Sequence, residues 1–376
     1  MEQNPAATIA ERFSELEDPR RYNRRHLLHD IVVIAICAAT CGADDWVAVE
    51  EFGRAKRSWF EKFLELPHGI PSHDTFGDVF GLLDPEQFRR CFIQWVQAVN
   101  EITGGQVIPV DGKKLRRSHD KTLGKNAIHM VSAWAAENHV VLGQIKVDDK
   151  SNEITVIPQL LDLLEISGCI VTIDAMGCQK KIARKIVKEK DADYVLALKG
   201  NQSGLFEDVK GLFERVQKIG FENCEYYRTE EQGHGRLEVR ECWTVSDPEY
   251  LASIRSLADW WGLQTVIMVK SERFVGDKRS EESRYYIASL SGDAKQALGA
   301  VRGHWGIENK VHWVLDIAFR EDDCRIRKDN GAQNFAILRH IALNLLKQEK
   351  TAKCGVKNKR LKAGWDESYL LKVLSG

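Results

Sequence analysis

The chain has 376 residues, with 54 Lys+Arg against 55 Asp+Glu, a formal net charge of −1, and 43% hydrophobic residues. This composition excludes a disordered or fibrous chain and allows about two domains at ~150 residues each. Near-zero charge argues against a dedicated nucleic-acid binder, which carries a basic surplus, but the neutrality is a cancellation. Residues 1–100 hold 11 basic and 16 acidic residues, 101–200 hold 15 and 13, 201–290 hold 12 and 16, and 291–376 hold 16 and 10.

Nine cysteines, an odd number with no CxxC pair, suggest neither a disulfide framework nor a thiolate zinc site. They fit a reducing cytoplasm, on the nucleoid if the source is bacterial. The first residues, Met-Glu-Gln-Asn-Pro, lack the basic and apolar regions of a signal peptide. The most apolar run, 31–39, is nine residues; a membrane helix needs roughly 20, so a core helix is expected.

In chain order, residues 1–100 read as helical. A basic lead-in over 19–25 precedes an apolar helix over 26–40, a turn over 42–45, and a helix opening at Trp46. Ser72 is a natural N-cap for a helix carrying Phe76, Val79, Phe80 and Leu83. Asp84-Pro85 starts another, carrying Phe88, Cys91, Phe92, Trp95 and Val96. Two helices joined so tightly admit a helix-turn-helix DNA reader or an ordinary packing unit.

From Gln106 the period changes. Residues 106–111, 127–136 and 139–147 read as strands, the last two joined at Glu137-Asn138. A helix over 154–166, a strand over 169–174, a basic helix over 179–190 and a strand over 193–199 follow. The order β-β-β-α-β-α-β predicts an α/β fold, a mixed sheet flanked by helices in the ribonuclease H-like order. Beyond Gly200 the pattern is less regular. Strands at 224–229, 237–245, 263–270 and 284–290 suggest a β-rich insertion over 201–290, its first two strands joined through 233–235. Helix resumes near Asp293.

Asp111 and Asp174 each end an apolar strand and precede a small residue. An acid there projects into the crevice at the strand ends of an open α/β sheet. Two acids on neighbouring strands repel unless a cation lies between them, and hard oxygen donors suit Mg²⁺ or Mn²⁺. Either Asp alone can also be capping a turn. The third candidate is Glu308. On a helix at ~100° per residue, Ile307, Val311, Val314 and Ala318 form an apolar stripe, and His304, Glu308, His312 and Asp316 a polar one. Trp305 and Trp313 beside the polar stripe argue for its partial burial. His304, Glu308 and His312 also admit a zinc reading, although this is not His-Glu-x-x-His; a solvated face or DNA contact are the other readings.

Together these segments resemble the H-repeat-associated insertion-sequence transposases (the ISAs-type group) of the DDE superfamily. The resemblance covers nearly the whole chain. It is carried by Ile70-Pro-Ser-His-Asp-Thr-Phe76, Val110-Asp-Gly-Lys113, Thr172-Ile-Asp-Ala175, Leu198-Lys-Gly-Asn-Gln202, Gly233-His-Gly-Arg236 and His304-Trp-Gly-Ile-Glu-Asn309 with His312-Trp313. It implies a helical N-terminal associated domain over 1–100 and a ribonuclease H-like catalytic core over 101–200 and 291–376, interrupted by the insertion. Asp111, Asp174 and Glu308 would be the first, second and third acids of the triad, with 62 and 133 residues between them. The implied activity is DNA end cleavage and strand transfer with two Mg²⁺ or Mn²⁺ ions. The implied partners are double-stranded DNA (insertion-sequence ends and target) and a second copy of the chain in a synaptic complex, with no membrane.

One departure stands out. Many related transposases place Arg four residues before the Glu and Lys seven after it, where this chain has His304 and Val314; Arg302 is the substitute candidate. The residues expected to hold DNA are Lys113, Lys114, Arg116, Arg117, Arg236, Arg240, Arg302, Arg325 and Arg327. A stretch over 347–362 adds seven basic residues against one acid. Such phosphate contacts weaken steeply with salt. Two other readings stay open: a transposase relic that only binds DNA, and a metal-dependent nuclease without strand transfer.

Overall fold

The structure is a computed structural model that describes residues 13–22, 24–100, 102–119, 126–148, 151–233 and 235–375. The first five residues and His234, used above, lie outside these. Helices α1 (Leu28–Thr40), α2 (Trp46–Ala55), α3 (Arg57–Phe60), α4 (His73–Leu82) and α5 (Pro85–Val99) come first. Their starts follow the local chemistry: Asp45, Ser72 and Asp84 each accept a first-turn N–H, from Ala48, Thr75 and Glu86, and Pro85 opens α5. Every residue of α1 from Asp30 to Thr40 is buried, as its all-round apolar sequence requires.

Strands β1 (Val107–Lys114), β2 (His129–Ala135), β3 (Val140–Val147), β4 (Ile170–Ile173) and β5 (Asp193–Leu198) follow, with α6 (Glu153–Asp162) before β4 and α7 (Lys180–Glu189) before β5. Next come α8 (Ser203–Lys218), β6 (Glu225–Gly233), β7 (Arg236–Val245), α9 (Pro248–Leu251), β8 (Thr265–Val275) and β9 (Lys278–Ala288). Helices α10 (Ala294–Ile307), α11 (Trp313–Phe319), α12 (Gly331–Gln348), α13 (Val356–Trp365) and α14 (Glu367–Leu374) end the chain.

The strands form one nine-stranded sheet in the order β3-β2-β1-β4-β5-β9-β8-β7-β6. β1 and β3 run antiparallel to β2, whereas β1, β4 and β5 are parallel. This is the ribonuclease H-like order and direction pattern that the sequence led us to expect. Strands β6 to β9 extend the same sheet, because β9 pairs antiparallel with β5 from Val195↔Ala288 to Leu198↔Tyr285. Helix α8, unforeseen above, buries Leu205, Val209, Leu212, Phe213 and Val216. Strands β8 and β9 run further than expected because their outer halves are polar and exposed, without the alternation that marks a half-buried strand.

One sheet face is covered by α10, whose Ala297, Leu298 and Val301 pack with Ile170, Val195, Ile267 and Tyr286. The other face forms a core continuous with the N-terminal helices and α12. The α4–α5 pair is built into that core. The Asn334 side chain of α12 donates to Phe80 O and Leu83 O at 2.8 and 2.9 Å, and Phe88, Phe92 and Trp95 are buried. The helix pair thus packs as a structural unit.

Helix α10 approaches the sheet closely through two glycines. A Cβ on Gly303 would stand 2.8 Å from Val107 Cγ1, and one on Gly306 would overlap the ring of Trp134, which is 1% exposed. Helix propensity alone favours Gly→Ala by ~1 kcal/mol. Here the overlap with a fixed indole reverses the sign, and Gly306→Ala is predicted to destabilise by about 1–3 kcal/mol. Urea unfolding measures it; a raised midpoint would contradict the close approach.

Candidate active site

The last parallel pair between β1 and β4 is Val110↔Ile173, so Asp111 and Asp174 follow it side by side. Asp174 lies one residue beyond β4, as expected. Asp111 does not end its strand: β1 continues to Lys114, paired there with β2 alone. Period two puts Asp111 on the face of Val107, and Asp174 on that of Ile170 and Thr172, the face α10 covers. Asp174 Oδ1 accepts the N–H groups of Met176 and Gly177 at 3.0 and 3.1 Å. Turn capping and projection into the crevice therefore coexist in this residue. Asn201 and Gln202 donate to Ala175 O and Cys178 O at 2.6 and 2.9 Å; the Leu198-to-Gln202 motif secures the loop after Asp174.

Glu308 opens a π turn, Glu308–His312, that joins α10 to α11. The Trp313 N–H bonds to Glu308 O, widening the turn and re-aiming the side chains that follow. The apolar stripe is buried at Ile307, Val311 and Ala318. The tryptophans are not what buries the polar stripe, since Trp305 and Trp313 are 43% and 60% exposed. Of the polar stripe, His312 is buried, His304 and Asp316 are half-buried and Glu308 is exposed. His304 Nδ1 lies 3.1 Å from Thr172 Oγ1, and His312 Nδ1 lies 3.5 Å from Asp111 Oδ2. Burial lowers the proton affinity of both, His312 to about 3 with the charge of Lys113 adding to the effect. His312 is therefore neutral beside Asp111. The two histidines face different partners, Thr172 and Asp111. Among the described residues no three His, Cys, Asp or Glu side chains are gathered at metal-coordination distance.

Asp111, Asp174 and Glu308 all line one cavity of about 490 Å³, with Lys199, Arg284 and Trp305 also on its wall. Arg284 lies over the Trp305 ring, its Cζ 4.7 Å from the centroid. Asp111 is pushed up to about 7, first by burial and then by the charges of Glu153, Asp174 and Glu308, against a lowering contribution from the Gly112 N–H. Sequence reasoning missed Glu153. It stands at the first turn of α6, with Oε1 2.7 Å from His129 Nε2. It fills the space a Cβ on Gly112 would need, so the glycine after Asp111 is what admits a fourth acid here. Its only sequence signal was an acid opening the helix after the third strand.

The basic candidates divide. Lys113, expected to contact phosphates, is 11% exposed and its ammonium is held by Asp316 and Glu321 at 2.5 and 2.7 Å, so it faces inward. Lys114 is exposed. Arg116 and Arg117 are exposed and pair with Asp322 and Asp323 at 3.2 and 3.3 Å. Arg327 Nε donates to Arg117 O at 3.2 Å, and Arg325 and Arg327 border a second groove of about 680 Å³. Arg236 and Arg240 share a face of β7 and both pair with Glu238, whereas Arg302 pairs with Glu231. In the basic stretch 347–362, Lys359 and Arg360 are buried. The Arg360 guanidinium donates to Ala39 O and Ala318 O, satisfying carbonyls at the ends of α1 and α11.

The transposase DDE domain matches residues 82–345 and the DDE_Tnp_1-associated region matches residues 10–96. The protein named "H repeat-associated putative transposase YhhI" of Escherichia coli (strain K12) is 39% identical over 373 residues, 98% of each chain. "Putative transposase YncI" of Escherichia coli O157:H7 is 42% identical over 374 residues, 98% of this chain and 94% of the relative. A structure of the piggyBac transposase synaptic complex with hairpin DNA aligns with 98% of this chain and 78% of its own, at 11% identity and a TM-score of 0.42. The chain belongs to the DDE transposases, within the H repeat-associated group. Among the described residues no helix is long and apolar enough to cross a membrane.

The crowding of Asp111 has a measurable consequence. Its carboxyl holds a proton up to about pH 7 when folded, against an ordinary value of 3.8. Between those values the folded chain binds more protons than the unfolded chain, so stability falls as pH rises through this window. Asp111→Asn removes the effect. In a chelating buffer its melting temperature is predicted to exceed the wild type at pH 8 and to converge with it near pH 4. A gap that does not change with pH would show that Asp111 is not crowded.

Proposed function

We propose that the chain is an active DDE transposase that cleaves the ends of an insertion sequence and joins them to target DNA. The carrying observation is that Asp111, Asp174 and Glu308, from three distant segments, line one cavity. Their donors are all hard carboxylate oxygens, and the acids around Asp111 raise its proton affinity. This set has the chemistry to hold Mg²⁺ or Mn²⁺, and two ions suit three acids. Ions held by Asp111, Asp174 and Glu308 would supply Lewis-acid chemistry for phosphodiester cleavage.

The protein's own groups do the rest. The turn after Asp174 fixes one of its oxygens on two backbone N–H groups and leaves the other free for a ligand. Lys199 sets positive charge on the cavity wall, where a phosphodiester would lie, and Arg284 stands there paired with Glu282 of the same wall. Hydrolysis breaks a P–O3′ bond and frees a 3′-hydroxyl; that hydroxyl then attacks a target phosphodiester and displaces its 3′ oxygen.

Lys114, Arg116, Arg117, Arg325 and Arg327 are the DNA contacts best supported. Exposed ion pairs contribute only ~0–1 kcal/mol, so Asp322 and Asp323 yield Arg116 and Arg117 to a polyanion at little cost. Arg236, Arg240 and Arg302, tied to Glu238 and Glu231, are the weaker part of this assignment. Synapsis of two ends calls for a homodimer, with residues 1–100, which carry α1 to α5, as its associated domain.

Asp111→Ala, Asp174→Ala and Glu308→Ala are each predicted to abolish Mg²⁺-dependent cleavage of end-containing DNA while retaining DNA binding. A gel assay separates the alternatives. Joined products indicate a transposase, cleavage alone a nuclease, and binding alone a relic. Wild-type cleavage by Asp174→Ala would refute the assignment of the acids.

A further inference from the structure

Behind the carboxylates lies a buried network that the reaction does not use directly. Lys113 Nζ, on β1 two residues beyond Asp111, reaches three groups on the segment after Glu308. They are Asp316 Oδ1 at 2.5 Å, Glu321 Oε2 at 2.7 Å and the carbonyl of His312 at 3.4 Å. His312 is the last residue of the π turn that Glu308 opens. Glu321, 2% exposed, also faces the Arg339 guanidinium of α12, 3.8 Å away and 1% exposed. Arg339 in turn lies 4.5 Å over the ring of Phe335. Two cations and two anions balance. The neighbouring imidazoles of His312 and His340 are both held neutral by burial, at about 3 and about 4.

The backbone directs Glu321 into this network. Arg320 adopts a left-handed conformation, φ 49°, which ends α11 and turns the chain inward. A non-glycine residue there is uncommon and persists where the surroundings hold it.

We propose that Lys113 is a positioning residue. It fastens the strand carrying Asp111 to the π turn that Glu308 opens and to α11 behind it, and through Glu321 and Arg339 it ties both to α12, which packs on the N-terminal helices. This rests on the reading of Asp111 and Glu308 as catalytic acids. Lys113 touches neither DNA nor a reacting atom. It sets the spacing of two acids that would otherwise move apart under their mutual repulsion. Its partners are anions placed to hold it, so its removal acts on geometry and leaves DNA affinity alone.

The test uses the full chain, with end-containing DNA as the probe. Lys113→Met and Glu321→Gln are each predicted to lower single-turnover cleavage about 100-fold, the scale of an ångström misplacement. Affinity for DNA and its salt dependence stay at wild-type values. Hydrogen exchange over residues 308–316 is faster in both variants and unchanged elsewhere. Combined, the two substitutions cost less than the sum of the singles, because they share one interaction. If Lys113→Met does not fold, Asp316→Asn, at the half-exposed end of the network, probes the same link.

A phosphate-contact role predicts the opposite split. Lys113→Met would then weaken binding and flatten its salt dependence, and Glu321→Gln would leave cleavage intact. Either that result or wild-type cleavage by Lys113→Met overturns the proposal. Should the wild-type chain fail to cleave, the transposase reading falls, while hydrogen exchange over 308–316 still reports whether the link exists.

Discussion

Asp111 and Asp174 are neighbours because β1 and β4 run parallel and in register up to Val110 and Ile173. Glu308 reaches the same cavity from a helix that begins after an intervening insertion. Three carboxylates, with Glu153 as a fourth beside Asp111, repel wherever they are ionised, and burial strengthens the repulsion. The fold tolerates this because the elements bearing the acids are fixed from behind. Asp174 is held by backbone N–H groups of its own turn, and the core under the other sheet face is continuous with the N-terminal helices. The glycines of α10 let the helix lie against Val107 and Trp134, so Glu308 arrives at the rim of the sheet and not above it.

Positive charge is distributed by the same logic. Lys113, Arg339, Lys359 and Arg360 are almost fully removed from solvent. They compensate buried acids or helix-terminal carbonyls. On β7 and α10, Arg236, Arg240 and Arg302 are paired with Glu238 and Glu231. Counting lysines and arginines along the chain therefore overstates what faces a polyanion. The basic surplus of residues 291–376 is partly internal wiring, while Lys350, Lys353, Lys357 and Lys362 stay exposed, as do Lys114, Arg116, Arg117 and Arg325.

The strands of the core were legible because period-two and fully apolar runs end in acids or turns. Asp111 and Asp174 drew attention because each follows an apolar run, although only Asp174 lies beyond its strand and Asp111 sits within β1. What was missed had weaker local signals. Helix α8 carries Leu205, Val209, Leu212, Phe213 and Val216 at helical spacing, but no side chain caps its start. The outer halves of β8 and β9 are stabilised by pairing with each other and by cross-strand ion pairs such as Arg279 with Glu272. No periodic burial betrays them. Lys113 was misread because a lysine beside an acid carries the same letter whether it points outward or inward. Its direction depends on Asp316 and Glu321, two hundred residues later in the chain.

Strands β6 to β9 are continuous with the sheet that bears the site. The inner end of β9, Tyr285 to Ala288, pairs with β5, and its outer end pairs with β8 in an extended hairpin. Tyr285 and Tyr286 line the cavity that holds the three acids, as do Glu282 and Arg284 from the same strand. Helix α10 closes the circuit. Its first residue, Ala294, donates its N–H to Glu225 of β6 at 3.3 Å, and its last turns lie over Val107 of β1 and Trp134 of β2. One helix thus spans from the far edge strand of the insertion to the strand bearing Asp111, and then delivers Glu308. Sheet pairing and α10 thus connect the β6–β9 strands to the acids along two separate routes.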